Sequence, residues 1–133
     1  MLNLPPCPWK RAALIFAAIS YVVTGVTHFT NSEFFVSIMP PWLPLHLELV
    51  WLSGAAEMIL GAALLSSRWR TMASWGLIAL LLAVFPANLH MAMSPEIFVL
   101  RGMPLWGLYL RLPLQVVLIA WVWWVGTPDA GSE

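Results

Sequence analysis

Four apolar stretches, each about as long as a bilayer is thick, constrain this sequence more than any other feature. They cover about residues 10–29, 45–65, 71–93 and 105–125 and consist mostly of Leu, Ile, Val, Ala, Met, Phe and Trp. A helix needs about 20 such residues to cross the hydrocarbon core. Only 9% of the 133 side chains are charged, against roughly a quarter in a soluble domain. The expected fold is an all-α membrane protein: a four-transmembrane-helix antiparallel bundle forming one domain over residues 1–126. The polar residues 127–133 are expected to be a disordered cytoplasmic tail.

Basic residues set the expected orientation. Lys10, Arg11, Arg68 and Arg70 lie at one set of span ends, and only Arg101 and Arg111 lie toward the other. The positive-inside bias then puts both termini and the turn at 66–70 in the cytoplasm, with Trp121, Trp123 and Trp124 resembling an interfacial belt. Ala18-Ile19-Ser20 loosely fits a signal-peptide cleavage site, but the apolar run continues through Tyr21 to Val26, which favours a retained span. The outer connection, 30–44, ends in Met39-Pro40-Pro41-Trp42-Leu43-Pro44. That is too rich in proline for a helix interior and too apolar for a solvated loop, so it is expected at the lipid interface.

Charge and cysteine content exclude several functions. Six basic and six acidic residues cancel, so no field directs the chain to nucleic acid or a polyanionic substrate. Cys7 is the only cysteine, which excludes an intramolecular disulfide, a CxxC pair and a multi-cysteine metal or iron–sulfur site.

Ionisable groups inside spans are costly and are functional candidates by default. Glu57 lies about halfway along the second span and shares a face with Ser53, Gly54 and Gly61, a small-residue surface suited to close helix packing. It is expected to point inward, where it must be paired, hydrogen-bonded or protonated. Arg111, about two turns into the fourth span with Gln115 one turn further, is the expected counter-charge. Such a pair serves either to fix helix register or to handle a ligand or proton. Pro86 and Pro113 each remove a backbone hydrogen bond. Asn88 and Gln115, two residues after them, stand where freed carbonyls need partners.

All three histidines, His28, His46 and His90, fall near outer span ends. His28 shares a face with Ala17, Tyr21 and Thr24, and His90 continues the stripe Gly76, Ala79, Ala83 and Ala87. Facing histidines could ligate a haem, or His28 and His90 could bind a metal with Glu48. The plainer reading is interfacial histidines making local hydrogen bonds. Glu48 and Glu57 are separated by about 180° on a regular helix, which makes them a poor acid/base couple. The candidate polar pocket is thus His28, Glu57, Asn88, His90, Arg111 and Gln115.

Six segments in order carry a family resemblance. Gly25-Val26-Thr27-His28-Phe29, Ile38-Met39-Pro40-Pro41-Trp42-Leu43-Pro44, Leu52-Ser53-Gly54-x-x-Glu57-x-x-x-Gly61, Ala73-x-Trp75-Gly76-Leu77, Val84-Phe85-Pro86-Ala87-Asn88 and Arg111-Leu112-Pro113-Leu114-Gln115 together resemble the bacterial DoxX-like membrane proteins. The resemblance covers about residues 10–125. It implies a four-helix protein of the bacterial inner membrane, compatible with a redox-subunit or an assembly role. The paired cysteines of the family's thiol-linked branches are missing here.

The sequence carries no nucleophile–base pair and no recognisable cofactor motif. It therefore favours a non-transport accessory or binding subunit in the lipid bilayer. Its outer-half pocket would hold a small amphipathic ligand, a quinone or a lipid, beside a membrane redox or assembly partner. The alternatives are a membrane enzyme, with Glu57 exchanging a proton and His28 or His90 assisting, and a proton or solute transporter. Transport through four short helices would require an oligomer, which the sequence leaves open.

Overall fold

Proline placement sets where several helices begin. Pro8 occupies the first turn of α1 (Pro8–Thr30), Pro95 the first turn of α5 (Pro95–Leu100), and Pro104 directly precedes α6 (Leu105–Gly126). These are positions where a missing N–H costs no helical hydrogen bond. The remaining elements are α2 (Ser32–Ser37), α3 (His46–Ala63) and α4 (Arg70–Met93). The computed structural model describes residues 2–129. Among these the chain is helical with connecting turns, plus one isolated bridge between Leu2 and Ser66. Leu45, directly before α3, takes a left-handed φ of 53°.

Three helices, α1, α4 and α6, are long and apolar enough to cross a membrane. The sequence reading expected four. The difference is α3, whose 18 residues include His46, Glu48 and Glu57; these polar groups lower its mean hydropathy.

Packing follows the small residues. α1 and α3 run antiparallel with backbones almost touching: a Cβ on Gly54 would lie 2.6 Å from His28 Cβ and 2.8 Å from Gly25 O, and one on Gly61 would lie 2.9 Å from Tyr21 Cβ. α4 and α6 are joined by hydroxyls, with Ser74 Oγ donating to Val122 O at 2.8 Å and Thr71 Oγ1 to Gly126 O at 3.0 Å. Leu60 of α3 covers Gly76 of α4, and Phe16 of α1 stacks on Trp121 of α6 with centroids 5.6 Å apart. Each long helix therefore touches two others: α1 and α4 both pack on α3 and α6, while α1 does not meet α4 closely and α3 does not meet α6.

Two apolar clusters occupy opposite ends of this arrangement. Leu14, Ala17, Leu64, Leu77, Val122 and Val125 fill the end that holds the termini. At the other end Ile38, Met91, Phe98 and Leu108 pack with Phe34 and Phe35, so that α2 and α5 fold over the long helices. Neither short helix was expected from the sequence. The connection 30–44 was expected at the lipid interface; Trp42 is indeed exposed, but Ile38 and Pro40 are buried against the protein.

The terminal end is fastened by polar contacts. Lys10, only 5% exposed, donates to Thr127 O at 2.7 Å and to Asp129 Oδ1 at 2.8 Å. Arg70 donates to Leu64 O and to Asn3 O. The first three residues of the tail expected to be disordered are thus held against α1, because a buried ammonium needs acceptors. Residues 130–133 lie outside the described residues.

Candidate functional site

Between the two apolar clusters lies a layer of polar side chains. On α1, Tyr21, Gly25 and His28 recur at helical spacing and are buried on the face that packs on α3. His28 is buried, its ring stacked on Phe35 with centroids 3.9 Å apart. Its Nδ1 lies 2.9 Å from Thr24 O and 3.3 Å from Glu57 Oε2. One ring nitrogen offers at most one proton. When that proton points at the Thr24 carbonyl, Glu57 Oε2 is left in contact with the ring without accepting a hydrogen bond. Glu57 Oε2 and the Tyr21 hydroxyl are both buried side-chain atoms with no hydrogen-bond partner among the described residues, although buried polar atoms are usually paired.

The second half of the layer spans α4 and α6. Asn88 Nδ2 donates to Gln115 Oε1 at 2.9 Å, and Gln115 Nε2 donates to Leu81 O at 2.7 Å. Gln115 is buried and both ends of its amide are used. Pro86 lies between Leu81 and Asn88, so the amide pair braces α4 across the turn that proline weakens.

The structure thus brings together His28 with Glu57, and Asn88 with Gln115, and sets the other predicted residues apart. Arg111 is not the counter-charge of Glu57: α6 makes no close contact with α3, and the basic group against the carboxylate is His28. Arg111 instead lines a groove on the surface of α6. His90 meets Phe98 edge-on at 5.8 Å. His46 Nε2 lies 3.2 Å from Pro40 O, a local contact. Glu48 is exposed in the first turn of α3. Among the described residues no three His, Cys, Asp or Glu side chains converge, so His28, Glu48 and His90 do not form a joint metal site. Tyr21 was not among the expected site residues, although its place on the same helical face as His28, two turns before it, was readable from the spacing.

The His28, Glu57 and Tyr21 set can donate and accept hydrogen bonds and can exchange a proton across 3.3 Å. The set lies inside an all-helical protein whose three long apolar helices suit a lipid environment. The chain belongs to the family described as a domain of unknown function, DUF8561, whose model matches residues 17–126 and so includes both halves of the polar layer. No curated protein and no solved structure matches it.

Proposed function

We propose that this protein is a small multi-pass membrane subunit that holds the polar head of an amphipathic molecule, a quinone or a lipid, in the layer between its two apolar clusters. The observation that carries this reading is a pair of buried atoms that make no hydrogen bond among the described residues, Glu57 Oε2, which only lies against the His28 ring, and the Tyr21 hydroxyl. Leaving such groups unsatisfied costs about 1–3 kcal/mol each, and a bound head group with both donor and acceptor atoms removes that cost. In this reading α3 is a fourth crossing, tolerated because Glu57 faces His28 rather than lipid. Both termini lie in the cytoplasm of a bacterium, as the basic residues and the DoxX-like resemblance suggest. The subunit works beside a redox or assembly partner.

Native mass spectrometry of protein gently extracted from its own membranes tests this. A defined extra mass is expected on the wild type and reduced on Glu57→Gln at unchanged helix content. Retention that is indifferent to the substitution would remove the pocket. The 3.3 Å separation of His28 and Glu57 also favours a second reading, an enzyme exchanging a proton with a lipid-soluble substrate. It predicts turnover with a pH optimum that Glu57→Gln abolishes.

A further inference from the structure

Arg111 lies about two turns into α6, half-buried in a groove of about 420 Å³. Its guanidinium makes no hydrogen bond or ion pair with any described residue. Of the described acidic side chains, Glu57 is against His28 on α3, which makes no close contact with α6, and Asp129 is bound to Lys10 at the opposite end, while Glu33, Glu48 and Glu96 form no ion pair with Arg111. A guanidinium stays charged at any working pH, and a charge against apolar surface in a membrane is costly unless it is matched.

The groove itself indicates what matches it. All of its walls come from residues 103–114, the start of α6 and the turn before it, so it opens away from the other helices. Gly107, one turn before Arg111, leaves the floor clear, since a Cβ there would meet only Pro104. Helical side chains lean toward the N-terminus, which carries the guanidinium over that gap and toward the membrane surface. Along the same stretch Trp106, Leu110 and Leu114 are exposed. The occupant therefore needs an anion at one end and an apolar chain at the other.

We propose that this groove binds an anionic phospholipid, its phosphate on the Arg111 guanidinium and an acyl chain along Leu110 and Leu114. The guanidinium fork matches phosphate oxygens, and the site is independent of the Glu57 layer. The test is native mass spectrometry of the full chain in detergent, titrated with phosphatidylglycerol or with phosphatidylcholine of the same acyl chains. Wild type is expected to retain phosphatidylglycerol about tenfold better, the scale of one charge-assisted contact. Arg111→Gln should lose that preference, Arg111→Lys should keep part of it, and Glu57→Gln should leave it intact. If Arg111→Gln loses its helicity, Leu114→Glu replaces it: a carboxylate one turn away supplies an internal counter-ion and should abolish the preference. Equal retention of the two lipids by wild type, or a preference undiminished in Arg111→Gln and Leu114→Glu, overturns the proposal. So does a change in subunit number in place of lipid loss, which would make Arg111 the partner of an acidic group on a second copy.

Discussion

Gly54 shows how one missing side chain sets the geometry of the polar layer. A Cβ there would press on His28 Cβ at 2.6 Å and on the Gly25 carbonyl at 2.8 Å, and the latter is backbone that cannot rotate aside. Gly54→Ala should therefore separate α1 from α3 and cost about 1–3 kcal/mol, read as an earlier midpoint of denaturant-induced unfolding in mixed micelles. A midpoint equal to that of wild type would mean the seam yields without strain. The inward aim of Glu57 was legible from Ser53, Gly54 and Gly61 on its face. Its neighbour was not. Periodicity reports which face of a helix turns inward but not which helix lies opposite, so Arg111 looked as good a counter-charge as His28. Only the packing order, with α1 rather than α6 beside α3, decides between them.

At the scale of elements, the long helices were legible because runs of apolar residues have few other uses, whereas α2 and α5 were not. Six residues make too few turns to show a period, and the neighbouring prolines argued against helix. What orders these pieces is burial of Ile38 and Phe98 in the apolar cluster at the end away from the termini, a tertiary effect. The end of α6 is ordered by a different tertiary effect, the Lys10 ammonium shared between Thr127 O and Asp129. Lys10→Met keeps the aliphatic stem but removes both donations. Hydrogen exchange at residues 127–129 should then quicken, with a stability loss of about 1–3 kcal/mol. Unchanged exchange there would show that the ammonium does not hold this segment.

For the whole molecule, the number of crossings follows from how the long helices are directed. Leu14 near the start of α1 and Ala73 near the start of α4 belong to the same apolar cluster, so both helices begin at the end that holds the termini. If α1 and α4 cross the bilayer in the same direction, the chain between them must come back across it, and α3 is the only helix there long enough to do so. A three-crossing chain would need α1 and α4 to run in opposite directions. The two arrangements place Cys7 and Glu96 differently: on opposite faces with four crossings, on the same face with three. Cys7 is the only cysteine, and it is exposed just before α1, while Glu96 is exposed in α5. Labelling with a membrane-impermeant maleimide can therefore separate them, using the natural thiol in one protein and Glu96→Cys with Cys7→Ser in the other. With four crossings and cytoplasmic termini, intact spheroplasts should label only the Glu96→Cys protein, and Cys7 should react only after lysis. Labelling of both from the same side would leave α3 on one face of the membrane, with Glu57 outside the hydrocarbon core.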